Sequence, residues 1–299
     1  MKILIIGSKG FIGTHVEKYF RQKEKFEVWS CDVIVDYGKK NYFVIDATNA
    51  DYHSIFQFIQ FDLCINCSGA ASVPDSLKNP IRDFTLNVGN IYKILDAIRQ
   101  YQHICKFINF SSAAVYGNPK KLPIVESVEL APVSPYGIHK KMSEDICKEF
   151  YQMFGVKTCS LRIFSAYGEG LKKQLFWDIY QKFMVSKQIE LYGTGKETRD
   201  FIYIHDLLQG LQCVIDNGLF NGDTINISSG IEISIEECAK LFCAGIDNQI
   251  EIIFNNRVKQ GDPLNWRADI SIIKSFGFNP IYSMEEGLKN TSKWVKENA

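Results

Sequence analysis

KILIIGSKGFIG, residues 2–13, decides the fold. Its first five residues form a short apolar run of the kind that makes a strand buried on both faces. Gly7, Gly10 and Gly13 follow with the spacing G-x-x-G-x-x-G. Glycine permits a tight turn and a close approach of backbone to ligand. A helix starting near residue 11 then offers unpaired N–H groups and the positive end of its dipole to an anion such as a diphosphate. Glycine-rich turns after strands also serve packing alone, so the rest of the chain has to supply the context.

Outward from that stretch, short apolar runs alternate with helical patterns. FEVWSC (26–31), NYFVI (41–45), DLCINC (62–67), CKFINF (105–110) and VKTCSL (156–161) read as strands, with helices expected near 11–22, near 84–101 and from Pro135 onward. Strand alternating with helix implies a parallel sheet with right-handed crossovers, and the order up to about residue 165 is that of a doubly wound (Rossmann) sheet. Beyond it, helical patterns near 174–187, 234–244 and 283–297 mix with short strands near 190, 225 and 252. The expected class is α/β: residues 1–165 as a dinucleotide-binding Rossmann domain, and residues 166–299 as a smaller α/β substrate-binding domain. The second would close on the C-terminal edge of the sheet, where open α/β sheets bind ligands. Residues 200–220, within a strand-then-helix pattern beginning RDFIYIHDLL at Arg199, are expected to return to the main sheet.

The 299 residues are 46% hydrophobic, enough for a full core. A formal net charge of zero argues against a nucleic-acid surface or a membrane-attracted face. The N-terminal apolar run is too short for a membrane span or a signal segment, nine scattered cysteines suit a reducing compartment, and the chain reads as cytoplasmic. Cys64 and Cys67 form a C-x-x-C, but within a strand and with no second Cys or His pair, so no metal site is expected.

Asp32 ends the second strand, 19 residues after Gly13. A carboxylate there accepts hydrogen bonds from both hydroxyls of an adenosine ribose and repels a 2′-phosphate, which selects NAD over NADP. Asp46, after the third strand, is placed to meet the adenine. Tyr136 and Lys140 are four apart on a helix, hence on one face. A phenol with a pKa near 10 is a poor base at neutral pH. Bringing it to about 7 takes roughly 4 kcal/mol of differential stabilisation, which an ammonium and an oxidised nicotinamide can supply in a dry site. Ser112, in SSAAVYG (111–117), offers a hydroxyl that can hold a substrate oxygen during proton transfer.

Together these fragments resemble the extended short-chain dehydrogenase/reductases, in particular the NAD-dependent nucleotide-sugar epimerase/dehydratase family, nearly end to end. Gly7, Gly10 and Gly13 match the family's glycine turn, and Ser112, Tyr136 and Lys140 match its catalytic Ser/Thr, Tyr and Lys. NVGNIYKIL resembles its N-V-x-G-T-x-N, LRIFSAYGEG its L-R-x-x-N-x-Y-G-P-G, YGTGKETRDFIYIHDL its G-x-G-x-x-x-R-D-F-x-Y-V-x-D, and VKQGDP its R-P-G-D-x. The resemblance implies a cofactor surface made by Gly7, Gly10, Phe11, Ile12, Gly13, Asp32, Asp46, Ala47, Cys67, Ser68, Gly69, Ala70, Asn87, Tyr136, Lys140 and Phe164. It implies substrate contacts from Ser72, Ser112, Ser165, Arg199 and Lys259, with the Arg199 guanidinium on the diphosphate of a nucleotide sugar. It also implies a homodimer paired through the helix near 84–101 and the helix from Pro135.

Departures from the family pattern narrow the chemistry. Dehydratases carry an Asp-Glu pair directly after the catalytic Thr, decarboxylases a Glu, and reductases with a C3/C5-epimerising step a Cys. This chain has Ala113 and Ala114 there, so elimination and decarboxylation are not expected. The resemblance then implies an NAD-dependent C4 epimerase (an isomerase) acting on a nucleotide-diphosphate sugar through a transient 4-keto intermediate. A 4-ketoreductase or 4-dehydrogenase of a 6-deoxy nucleotide sugar shares every motif, and a non-catalytic NAD-binding protein is a third reading. Ser165 stands where the family has Asn, and Lys259 where it has Arg. His139 points about 100° away from its neighbour Lys140 and is expected on the solvated surface. His205 is expected to cap or pack at a strand-to-helix junction, Phe176 and Trp177 to stack on a base or fill the core, and the stripe Met142, Ile146, Phe150, Phe154 to be buried.

Overall fold

Alternating side chains of the first strand set up two cores. In β1 (Lys2–Ile6), Ile3 and Ile5 enter one buried cluster and Leu4 and Ile6 the other, because successive residues of a strand face opposite sides of the sheet. A computed structural model describes residues 1–257, 261 and 263–298 of the chain. After β1 come α1 (Phe11–Arg21), β2 (Glu27–Asp32), β3 (Tyr42–Val44), α2 (Tyr52–Phe58), β4 (Leu63–Asn66), α3 (Val73–Lys78) and α4 (Pro80–Phe84). A π turn (Thr85–Gly89) joins α4 to α5 (Asn90–Tyr101), followed by β5 (Lys106–Ser112), α6 (Pro135–Phe154) and β6 (Thr158–Ile163). Each strand pairs in parallel, and the sheet is completed by β10 (Asn221–Ile227) in the order β10-β6-β5-β4-β1-β2-β3.

Between β6 and β10 the chain leaves the sheet through β7 (Ser165–Tyr167), α7 (Gln174–Phe183), β8 (Gln188–Leu191), β9 (Thr198–Tyr203) and α8 (Ile204–Asn217). After β10 follow β11 (Glu232–Ser234), α9 (Ile235–Ala244), β12 (Glu251–Phe254), α10 (Ser271–Ser275) and α11 (Met284–Asn298). The expectation that the strand of residues 199–203 returns to the main sheet is corrected. That strand, β9, sits between β7 and β11 in a small three-stranded sheet, while β10 takes the place beside β6. β10 fits there because Ile225 and Ile227 are buried on one of its faces and Asn226 on the other, and its register follows Leu161 and Ile163 of β6. The helix α8 does pack back onto α1.

The helix that matters most for the site is fixed at both ends. Ser134 caps α6 by accepting from the Gly137 N–H at 3.1 Å, Pro135 fills the first turn, and Gly155 ends it with φ +70°. Its apolar stripe is buried only in part. Phe150 is 1% exposed, whereas Met142 (40%) and Phe154 (46%) face outward. Residues spaced by four advance about 40° per step around a helix, so the stripe winds off the core-facing side. No helix among the described residues is long and apolar enough to cross a membrane.

Candidate active site

The glycine turn after β1 is held by backbone and closed to side chains. Gly7 has φ +79° and donates its N–H to the Cys31 carbonyl at 2.8 Å. A Cβ on Gly7 would lie 2.6 Å from Ser68 N, and one on Gly13 only 2.0 Å from the Gly7 carbonyl oxygen, so both must be glycine. Gly10 is less crowded: its Cβ would meet the Gly7 oxygen at 3.4 Å. Gly10 caps α1 without a side-chain bond, which leaves the amides of Phe11, Ile12 and Gly13 without intrahelical acceptors. Beside this cradle, the Asp32 carboxylate accepts from Lys9 N at 2.8 Å and from Val33 N at 2.8 Å, which fixes its place at the end of β2. Cys67, Ser68, Gly69 and Ala70 continue the ledge at the end of β4. Asn87, in the π turn, donates to the Ala70 carbonyl at 3.1 Å, and its own buried Oδ1 has no partner among the described residues. A cradle that rejects Cβ atoms, a helix end with open amides and a buried amide oxygen awaiting a donor all fit a dinucleotide laid across the sheet edge.

Asp46 and Ala47 stand further out. Asp46 is exposed and its Oδ1 is occupied by Thr48 N, Asn49 N and the Thr48 hydroxyl, which holds its carboxyl below the usual range. Ala47 receives the Asn90 amide on its carbonyl at 2.8 Å. Phe164 is 5% exposed and its ring lies between Tyr116 and Trp266, at 6.1 and 6.0 Å.

Ser112, Tyr136 and Lys140 converge beside that ledge. Ser112 ends β5, and its hydroxyl both accepts from Ala114 N at 3.2 Å and hydrogen-bonds the Tyr136 phenol. Lys140 Nζ lies 5.9 Å from the centre of the Tyr136 ring, and a Cβ on Gly69 would approach that amine to 3.6 Å. The amine itself donates to the Phe110 carbonyl at 2.8 Å. Burial pushes the Tyr136 phenol up to about 12; Asp83 adds to the rise and the Ser112 hydroxyl opposes it. Burial pulls Lys140 down to about 8 against the upward pull of Asp83 and Glu144. The expected ammonium effect is thus not what moves the phenol here: burial dominates its shift, and Lys140 donates to the Phe110 carbonyl.

Substrate-side residues are more dispersed. Ser72 caps α3, accepting from Asp75 N at 3.2 Å, and Ser165 opens β7 opposite Phe201 of β9. Arg199 on β9 donates to the carbonyls of Thr198 (2.8 Å) and Leu264 (3.2 Å), with its guanidinium 5.6 Å from the Trp266 ring. Lys259 lies outside the described residues. Phe176 packs on Phe242 and Tyr167, and Trp177 lies near Trp294, so both join the core rather than a base platform. His205 makes no cap; its ring packs against Tyr203 and His15. Cys64 and Cys67 are free thiols, both pushed up by burial.

The placement of His139 on the solvated surface is wrong. Its ring is 9% exposed, and Nδ1 meets Asp83 Oδ1 at 2.5 Å. The 100° step away from Lys140 points toward α4 rather than toward water, because α4 packs on α6. Asp83 and Ser76, whose hydroxyl accepts the Tyr136 N–H at 3.1 Å, escaped the sequence reading. Asp83 carried a usable signal: it stands four residues before Asn87, one helical turn from a residue already placed at the site.

Comparison with known proteins agrees with this geometry. The sequence profile of the NAD dependent epimerase/dehydratase family matches residues 3–228. A UDP-glucuronate 4-epimerase of Thermodesulfobacterium geofontis is 26% identical over 315 residues, covering 99% of this chain and 96% of that protein. The crystal structure of a UDP-glucuronic acid 4-epimerase from Bacillus cereus, in complex with UDP-glucuronic acid and NAD, superposes with a TM-score of 0.89 at 25% identity, covering 100% of each chain. A UDP-N-acetylglucosamine 4-epimerase from Methanobrevibacter ruminantium, in complex with UDP-N-acetylmuramic acid, gives a TM-score of 0.89 at 25% identity and covers 100% of this chain and 99% of its own. With its glycine turn, its Ser112–Tyr136–Lys140 cluster and a profile match over three quarters of its length, the chain belongs to the NAD-dependent epimerase/dehydratase family.

Proposed function

We propose that this protein inverts C4 of a nucleotide-diphosphate sugar, with UDP sugars the first substrates to try because the relatives above are UDP-sugar 4-epimerases. The observation that carries the reading is the meeting of Ser112, Tyr136 and Lys140 beside Gly69 and Asn87, with Ala113 and Ala114 where an eliminating or decarboxylating enzyme needs acidic side chains. Tyr136 Oη takes the proton of the C4 hydroxyl and later returns it. Ser112 Oγ, bonded to that phenol, holds the same substrate oxygen in line. Lys140 keeps positive charge close to the phenol. Gly7, Gly10, Phe11, Ile12, Gly13, Asp32, Asn87 and the 67–70 ledge would hold NAD, which when bound supplies the redox partner that an inversion without net oxidation needs. Ser72, Ser165, Arg199 and Lys259 are the proposed substrate side. Residues 1–165 with β10 form the cofactor unit in this reading, and the remainder of 166–299 the substrate unit.

A second copy of the chain is the proposed cover for the exposed Tyr92 of α5 and the exposed Ile138, Met142 and Phe154 of α6. Nine free thiols fit the cytoplasm as the proposed location. The deciding experiment incubates purified protein with UDP-glucose, UDP-N-acetylglucosamine and UDP-glucuronic acid, with and without added NAD, and follows C4 configuration by NMR. Inversion without net cofactor consumption is expected. Stoichiometric NADH consumption by a 4-keto sugar nucleotide, with no inversion of the saturated sugars, would establish the ketoreductase instead.

A further inference from the structure

The carboxylate placed to meet the adenosine ribose has a lysine at its side. Asp32 Oδ2 accepts the Lys9 backbone N–H at 2.8 Å, so the Lys9 side chain starts next to the ribose position. Its ammonium is taken up by a second carboxylate. Lys9 Nζ bonds Asp36 Oδ2 at 2.5 Å, because the segment after β2 folds back toward the glycine turn. Two ties hold that segment. Asp32 Oδ1 accepts the amides of Val33 and Ile34 at 2.8 and 3.3 Å, and the Tyr42 hydroxyl donates to the Ile34 carbonyl at 2.5 Å. The Lys9 ammonium lies 5.6 Å from the centre of the Tyr42 ring.

The neighbouring cations are committed more deeply. Lys39 Nζ bonds Glu17 Oε2 at 2.5 Å, and Glu17 Oε1 takes Arg21 Nε at 2.8 Å and the Ser30 hydroxyl at 2.6 Å. The Glu17 side chain is 8% exposed, which makes that cluster part of the packing between α1 and β2. The side chains of Lys9 and Asp36 are 28% and 31% exposed, open enough for an anion to reach the ammonium. A 2′-phosphate on the ribose is such an anion. In dinucleotide folds the acidic residue at the end of the second strand favours a free 2′-hydroxyl, and a cation close by accommodates a 2′-phosphate. This chain carries both groups, but its cation is bound to Asp36. Lys9, Asp32 and Asp36 together hold one net negative charge, where Lys9 and Asp32 alone would be neutral.

We propose that Asp36 is a second cofactor-selecting residue: by holding the Lys9 ammonium it denies a 2′-phosphate its counter-charge, so that NAD is taken and NADP refused. Asp32 acts on the ribose directly, and Asp36 acts through Lys9. The assignment rests on the ribose lying at Asp32 and is independent of which sugar reacts.

The test loads the protein with NADH, titrates it with NAD or NADP, and follows displacement by the fluorescence of the bound nicotinamide. Asp36→Asn keeps the side-chain shape and drops the charge. It is expected to let NADP displace NADH at about tenfold lower concentration, the size of one charge-assisted hydrogen bond, and to leave displacement by NAD unchanged. In the Lys9→Met background the same Asp36→Asn change is expected to lose most of that gain. Asp32→Asn, which removes the direct repulsion, is expected to favour NADP as well and checks where the ribose lies. No gain for NADP in Asp36→Asn, with a gain in Asp32→Asn, overturns the role of Asp36 alone. An equal gain with and without Lys9 overturns the action through Lys9, since Asp36 would then repel the phosphate itself. Equal changes for NAD and NADP in Asp36→Asn also overturn it, since the residue would then only shape the loop. If Asp32→Asn leaves the preference for NAD over NADP unmoved, the proposal falls together with the ribose placement. Sugar inversion does not enter the readout, so failure of every sugar to invert overturns the proposed reaction and leaves the selection by Asp36 standing.

Discussion

Replacing Lys140 by methionine should make the protein more stable at neutral pH and inactive. The amine is 6% exposed, and burial lowers its pKa from 10.5 to about 8. Between those values the unfolded chain binds the proton that the folded chain has lost, so the group's contribution to stability improves as pH rises through the window. Below about 8 the folded state carries the full penalty, and above 10.5 it carries none. The difference is worth about 3 kcal/mol at pH 7 and about 1 kcal/mol at pH 9.5. Methionine forfeits the bond to the Phe110 carbonyl, at a cost of about 1 kcal/mol, and otherwise fills the same channel. The net expectation is a gain of about 2 kcal/mol at pH 7 that shrinks to near zero at pH 9.5. Urea denaturation of both proteins at the two pH values reads this out, since the difference cancels every other titrating group. A methionine variant less stable than wild type at pH 7, or a difference that does not change with pH, would refute the claim that Lys140 is held charged against burial.

The glycine turn separates two effects. Gly13→Ala, whose methyl would sit 2.0 Å from the Gly7 oxygen, should lose about 1–3 kcal/mol of stability together with NAD affinity, whereas Gly10→Ala, with 3.4 Å of room, should weaken NAD binding by calorimetry while melting as wild type does. Tyr136→Phe should reduce sugar inversion by about 10²–10⁴-fold in the NMR assay and leave NAD binding intact. Glycine at 155 carries φ +70° with open space around it, so Gly155→Ala should lower stability by about 1 kcal/mol through backbone strain alone, measurable by thermal unfolding. If two copies pair through α5 and α6 as proposed, wild type should sediment as a dimer and Met142→Glu, on the exposed side of α6, as a monomer with its fold unchanged by circular dichroism; a monomeric wild type would refute the pairing.

Local patterns were the legible part of this protein. The glycine turn, the Asp32 position and the Tyr136–Lys140 spacing are set by neighbours within one turn or one strand, and the structure assembles them on one edge of the sheet. Contacts between distant segments were not legible. His139 was misplaced because its partner is 56 residues away and nothing in the sequence of α6 says that α4 covers that side. The strand 199–203 was misplaced for a related reason: apolar alternation announces a strand but not which sheet accepts it, and the place beside β6 went to β10. The short helices α2 and α3 escaped because neither is long enough to show a periodic apolar face, although Asp51 and Ser72 cap them in the usual way.

The route of the chain between β6 and β10 limits how the protein can be cut. All six residues of β6 are buried, and the strand that shields its outer edge arrives only at residue 221, after a long detour through the smaller sheets. A fragment ending near residue 165 would bare the unpaired backbone edge of a fully buried strand, which invites pairing with other chains and aggregation. A fragment starting there would carry β10 with nothing to lie against. Expression of either half is expected to yield inclusion bodies, and any split-protein or fusion design has to keep residues 1–227 on one polypeptide.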